Sequence, residues 1–284
     1  LSATELNIAV QTLIDRIVFL RIAEARGLEE IGGLQKAAEE GTSGGVYKRL
    51  MSLFRRADDR YNSGLFHFHE AKGQAERPDR VGPKLVVSDD VLRQIVVRLY
   101  YPYPYEFAVM PADSLGRVYE QFLGATISLK GHTAVVEEKP EVRKAGGVYY
   151  TPTPIVDYIV GATLGPLLKG ASPNDVAKLK IVDPACGSGS FLIAAYQYLI
   201  DWHTVHYEQT PRNKRKYLEG TLSGGLRLRT EERKRILSAN IFGVDIDPQA
   251  VEVTKLSLLL KVIEGQGQLE LELGRILPDL GANV

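Results

Sequence analysis

Two acids and a stretch of nearly bare backbone are the residues best suited to chemistry. Residues 181–191 read IVDPACGSGSF: an apolar run ends in Asp183, a proline follows, and only small residues separate it from Phe191. So little side chain lets the backbone turn sharply or lets a ligand come close to it. Farther along, IFGVDIDP ends a second apolar run in Asp245. The dinucleotide pattern G-x-G-x-x-G needs a glycine at 192, where this chain has Leu192, and no Lys-Ser/Thr pair follows to make a phosphate loop. An acid just ahead of Gly187 and Gly189 disfavours an anionic pyrophosphate and favours a cation, such as an amino-acid ammonium or a sulfonium. Asp245, at the tip of a second strand, suits the two hydroxyls of a ribose, and Ile246 is placed to lie against an adenine ring. Either acid alone could be a helix cap or turn former. Together, each after a strand and before a helix, they describe a site for S-adenosylmethionine.

The elements around these residues set the expected frame. KLKIVD and NIFGVD read as short buried strands, each followed by a helix: SFLIAAYQYLIDWHTVHY after the first and PQAVEVTKLSLLLKVIE after the second, with Asp247 as cap and Pro248 at its start. Strand, helix, strand, helix is the grammar of a parallel sheet with crossovers. A ribose acid usually follows the glycines by about 20 residues. The much longer interval to Asp245 predicts an insertion between the first helix and the second strand. Upstream, Thr153 is expected to cap a helix that starts at Pro154. Residues 5–26 read as a long helix with Leu6, Val10, Leu13, Ile14, Ile17, Val18 and Phe19 at helical spacing and Gly27 ending it. Further helices are predicted near 45–56, at 89–100 with Ser88 as cap, and over DSLGRVYEQFLG, with a hairpin around 127–137. The fold class expected is an α-helical N-terminal domain (1–145) followed by a partial α/β Rossmann-like domain that binds S-adenosylmethionine (146–284).

Bulk properties narrow the class without choosing a function. The chain has 284 residues, 44% hydrophobic and 25% charged, and a formal net charge of +0, so no global field draws it to nucleic acid or membrane. No apolar run is long enough to span a bilayer. The single Cys186 excludes an intrachain disulfide and fits a reducing, cytoplasmic setting. The chain starts at Leu1 without methionine and stops at LPDLGANV, which reads as a piece of something larger.

Three segments, GGVYYTPTPIVDYIV, IVDPACGSGSFLIAA and IFGVDIDPQAVEVTKLSLL, resemble the motifs of adenine-specific DNA N6-methyltransferases. The YTP motif precedes the glycine motif, as in the gamma class. RIVFLRIAEARGL, RYNSGLF and LGRVYEQFLG resemble the front of large single-chain members, the restriction–modification fusions and phage-defence methylases. The resemblance implies that 146–284 is a partial S-adenosylmethionine-dependent methyltransferase domain and that Tyr150, Thr151 and Pro152 lie beside the methionine part of the cofactor. It implies that Asp183, Ala185, Cys186, Gly187 and Gly189 line the same part, that Asp245 holds the ribose and that Ile246 covers the adenine. Cys186, Ser188 and Ser190 are then small fillers, not nucleophiles. It further implies double-stranded DNA as partner, restriction or specificity subunits as further partners, and no membrane. The family's Asn-Pro-Pro-aromatic motif, which holds the target adenine, does not occur in residues 1–284. The chain is therefore expected to carry no catalytic residue, to end before the catalytic loop and to be inactive alone. The alternatives are a methyltransferase acting on a protein or small molecule, and a non-catalytic DNA-binding or assembly module.

Three other features compete for attention. Residues 212–235 hold nine basic residues against three acidic ones. They are read as a solvated arm in preference to a DNA contact, because the preceding helix runs away from the cofactor loop. The rings of YYPYPYEF (100–107) are expected to pack between helices and not to form a base-stacking platform. His67 and His69, and His203 and His206 with Glu208 nearby, could pair on a metal, but no third ligand is evident. No metal site is assigned.

Overall fold

Ser2 starts the first helix by a reciprocal cap. Its hydroxyl accepts the Glu5 N–H while the Glu5 carboxylate accepts the Ser2 N–H. The resulting helix, α1 (Ala3–Ala25), ends where Gly27 takes a φ of +70°. The structure, a computed structural model, describes residues 2–39, 45–61, 64–69, 78–108, 110, 125–130, 133–138, 151–221, 224–264, 278 and 280–284. The other described α-helices and strands are α2 (Gly33–Ala38), α3 (Val46–Tyr61), α4 (Asp89–Arg98), β1 (Ala125–Lys130), β2 (Thr133–Glu138), α5 (Thr153–Leu168), α6 (Pro173–Val176), β3 (Ile181–Asp183), α7 (Ser190–Glu208), α8 (Pro211–Tyr217), β4 (Leu218–Gly220), β5 (Leu226–Leu228), α9 (Thr230–Asn240), β6 (Ile241–Gly243) and α10 (Pro248–Val262). The expected helix over DSLGRVYEQFLG lies outside the described residues.

Packing divides the chain into two units, one of Leu1–Pro111, Ala125–Lys139 and Glu264–Ala282, the other of Ala112–Gly124, Pro140–Ile263 and Asn283–Val284. The first is built on Phe19, Phe54, Tyr61 and Phe66, with the Phe19 and Tyr61 rings edge to face at 5.0 Å. Its longest helix buries charge as well as carbon. Arg16 donates to the Leu65 carbonyl and pairs with Asp79 at 2.7 Å, and Glu24 accepts the Leu34 N–H and the Tyr100 hydroxyl. Of the apolar stripe read from the sequence, Ile17 and Phe19 are buried. Leu6, Val10, Leu13, Ile14 and Val18 instead line a groove of about 930 Å³ against α4. The hairpin β1–β2 is antiparallel from Ala125↔Glu138 to Lys130↔Thr133, and the Asn7 side chain brackets Ile127, accepting its N–H and donating to its carbonyl.

The tyrosine connector departs from expectation. Tyr100 and Phe107 are buried around the Arg21 guanidinium, at 4.3 and 5.0 Å. Tyr101, Tyr103 and Tyr105 are exposed. Ser88 caps α4 in position but makes no side-chain cap bond.

In the second unit β3 and β6 form a parallel pair, with Asp183 opposite Gly243. Each strand is followed by a helix, α7 and α10. The predicted insertion is there: α8, the antiparallel pair β4–β5, and α9 lie between α7 and β6. Asn240, fully buried, donates to the carbonyls of Val176 and Leu179 and so ties the end of α9 to the approach to β3. The start of α5 corrects the sequence reading. Pro152 occupies the cap position, Thr153 is already helical, and Pro154 sits one place inside. A proline there still removes only an N–H that has no helical partner.

Candidate functional site

The site is built where the two parallel strands end. After β3 the chain turns through Pro184 and Ala185, and the Ala185 N–H returns to Asp183 Oδ1 at 3.1 Å. Oδ2 of Asp183 accepts no hydrogen bond among the described residues. The ladder continues past the strands as the Val244 N–H donates to the Asp183 carbonyl and the Cys186 N–H to the Val244 carbonyl, at 2.9 and 3.0 Å. Asp245 then closes the link. Its Oδ2 accepts the Gly187 N–H and its Oδ1 accepts the Asp247 N–H, both at 2.8 Å. The structure thus brings Asp183, Ala185, Cys186, Gly187, Gly189 and Asp245 together across two strand tips.

The glycines differ in what they face. Both are left-handed, φ +53° at Gly187 and +84° at Gly189, a region that resists side chains. A Cβ on Gly187 would meet nothing within 4 Å, so its backbone borders open space. A Cβ on Gly189 would come within 2.8 Å of Thr254. Gly189 is also the cap of α7, so the loop delivers a helix N-terminus toward the space beside Gly187.

Cys186 is buried at 6% exposure. Burial raises its thiol pKa; the Thr254 hydroxyl opposes this, and the Asp245 and Asp183 charges add to the rise. It therefore stays a protonated filler. Ser188, also buried, lies 3.4 Å from the Ser190 hydroxyl. Ile246 stands fully exposed beside Asp245. Thr151, half-buried, and Pro152, exposed, lead into α5, which packs on α7. Tyr150 lies outside the described residues.

Two supporting residues were not read from the sequence. Thr254, fully buried on α10, donates to the Gly187 carbonyl at 2.8 Å, so it holds the loop from behind. A lone threonine in an apolar helix gives no spacing signal. Asn283 donates to the Ser238 and Ile241 carbonyls and its own carbonyl accepts the Gly243 N–H, which ties down the end of β6.

The histidines have structural surroundings. His203 Nδ1 meets the Leu199 carbonyl at 2.8 Å, and burial lowers its pKa despite that contact. His206 stacks on Trp202 at 5.0 Å. No group of three or more potential metal ligands occurs among the described residues, nor is any helix among them long and apolar enough to cross a membrane.

The family described as N-6 DNA Methylase matches residues 111–272. The type II restriction enzyme and methyltransferase RM.Eco57I of Escherichia coli is 33% identical over 263 residues, which is 92% of this chain and 25% of that protein. The type I restriction enzyme MjaIX methylase subunit of Methanocaldococcus jannaschii is 28% identical over 54% of this chain and 18% of its own length. The adenine-specific methyltransferase PglX of Streptomyces coelicolor is 26% identical over 44% of this chain and 9% of its own. The chain thus spans a quarter or less of these relatives. With more than half of its length matched by the family description, the chain belongs to the N-6 DNA Methylase family.

Proposed function

We propose that residues 146–284 are the S-adenosylmethionine-binding part of a Rossmann-like methyltransferase domain, preceded by a helical domain of residues 1–145. The parent protein is then a site-specific DNA adenine-N6 methyltransferase of a restriction–modification or phage-defence system. Double-stranded DNA is its substrate, and restriction or specificity subunits are its partners. Family membership and the names of the relatives support this reading.

The observation that carries the cofactor assignment is the joined pair of strand-tip acids around open backbone. A carboxylate offers about four acceptor positions. Asp245 has used one on each oxygen, for Gly187 and Asp247, and so keeps one on each for the two ribose hydroxyls. Asp183 Oδ2 suits the ammonium. Ile246 suits the adenine face, and covering an exposed isoleucine contributes roughly 1.5–3 kcal/mol. Ala185, Gly187 and Gly189 leave room for the methionine chain, with Tyr150, Thr151 and Pro152 beside it. When bound, the sulfonium makes its methyl group electrophilic toward the adenine amino nitrogen. This chemistry needs no covalent enzyme intermediate, which agrees with a protonated Cys186. The target adenine base would be held by residues outside this set.

The test is a calorimetric titration of the chain with S-adenosylmethionine. Saturable binding is expected, weakened about tenfold or more, roughly 1.4 kcal/mol, by Asp183→Ala or Asp245→Ala. Absence of binding to the unaltered chain would reject the cofactor assignment. Unchanged affinity in Asp245→Ala would reject the ribose contact.

A further inference from the structure

The basic stretch 212–235 separates into two populations. All three of its acids are engaged by its downstream cations: Glu219 with Arg227 and Arg229, Glu231 with Lys234, and Glu232 with Arg235. Arg233 donates to the Lys261 carbonyl. The upstream cations on α8, Arg212, Lys214, Arg215 and Lys216, are exposed, and none pairs with a carboxylate among the described residues. Arg212, Arg215 and Lys216 stand at i, i+3 and i+4, so they share one helix face.

That face is held in place. Tyr217, next to Lys216, stacks on Tyr207 at 4.3 Å and 19°, and the Tyr207 hydroxyl donates to Glu232 at 2.7 Å. Thr210 caps α8 by accepting the Asn213 N–H, and the Lys216 ammonium lies 4.6 Å over the Tyr217 ring. Three cations on an anchored helix, with every nearby acid of the stretch already neutralised, form a surface for a polyanion. The helix has no buried side chain and no exposed apolar anchor of the kind a protein partner needs. Guanidinium forks match phosphate oxygens.

We propose that the Arg212, Arg215 and Lys216 face of α8 grips the phosphate backbone of duplex DNA without reading its sequence. This rests on the reading of the parent protein as DNA-acting, and it replaces the solvated-arm expectation for these residues. The face sits beyond the far end of α7, about 28 Å along that helix from the glycine loop. It is therefore a second contact, separate from the cofactor site.

The test measures binding of a short labelled duplex of arbitrary sequence to the 284-residue chain by fluorescence anisotropy at several salt concentrations, without cofactor. Each phosphate contact adds about 0.9 to the slope of log K against log salt. Arg212→Gln/Arg215→Gln/Lys216→Gln is expected to lower the slope by about 2.7, so the unaltered chain loses about 40-fold more affinity than the variant between about 50 and 200 mM salt. Arg212→Gln/Arg215→Gln, which keeps the Lys216–Tyr217 contact, should lower it by about 1.8. A control removing three exposed cations elsewhere, Lys48→Gln/Arg55→Gln/Lys169→Gln, should keep most of the slope. No duplex binding by the unaltered chain, an equal loss in the control, or competition by polyglutamate as strong as by unlabelled duplex would each overturn the proposal. Because the readout is duplex affinity and not cofactor heat, failure here and failure of the cofactor reading are told apart.

Discussion

Replacing Gly189 by alanine puts one methyl group where the glycine loop touches α10. The new Cβ would lie 2.8 Å from Thr254 Cγ2, 2.9 Å from Oγ1 and 3.2 Å from Cβ. These atoms belong to the short, branched body of a fully buried side chain, so they cannot swing away. Overpacking of this kind costs about 1–3 kcal/mol, and forcing alanine to a φ of +84° adds about 1–2 kcal/mol. The expected loss is therefore about 2–5 kcal/mol. Gly187→Ala supplies the comparison, since it meets only the backbone strain and should cost about 1–2 kcal/mol. Urea unfolding followed by fluorescence is a suitable assay, because Trp202 is the only tryptophan and lies on the helix that Gly189 caps. Thr254→Ala removes two of the three close atoms, so the double variant Gly189→Ala/Thr254→Ala should be more stable than additivity predicts, by about 1–3 kcal/mol. Equal costs for Gly187→Ala and Gly189→Ala, or strict additivity in the cycle, would refute the assignment of the loop–helix contact.

Two other perturbations follow from the second unit. His203 is buried neutral, with its pKa lowered by burial against the Leu199 carbonyl, and Glu232, Arg235 and His206 are its charged or titratable neighbours. The unfolded chain binds a proton more readily, so stability should fall as pH drops below about 6.5, and His203→Leu should flatten that limb in urea midpoints measured across pH. A limb unchanged in the variant would show that another group causes it. Asn240→Ala removes a buried hydrogen bond to Val176 and a partly buried one to Leu179 and should cost about 2–3 kcal/mol by the same unfolding assay. A loss below about 0.5 kcal/mol would mean that solvent replaces the amide there.

What could be read from the sequence was what rests on spacing. Asp183, Gly187 and Gly189 are tied to one turn by adjacency, and the strand–helix periodicities on either side place Asp245 at the neighbouring strand end. The insertion followed from the interval alone. Contacts between distant segments left no such trace. Thr254 and Asn283 support the loop and β6 from positions whose residue types are ordinary where they stand. Charge was the least legible quantity. The sequence shows nine cations in one run, but only the folded hairpin and α9 reveal that Arg227, Arg229, Lys234 and Arg235 have carboxylate partners, while the α8 ones have none among the described residues. The same holds for the Leu6–Val18 stripe, whose spacing announces a buried face although several of its residues line an open groove.

The 2.8 Å bond from the Gly187 amide to Asp245 makes the loop and the strand tip a single mechanical part. On the proposed cofactor reading, a ligand arriving at either acid meets a receptor already set, so little ordering entropy is lost on docking. The same bond joins the fates of the two ends: whatever displaces one strand tip drags the glycine turn with it. Asp245→Ala therefore severs a latch as well as the proposed handhold. Asp245→Asn can still present its one oxygen to the Gly187 amide, at the cost of the bond from the Asp247 N–H, and so keeps the latch while the proposed handhold is weakened.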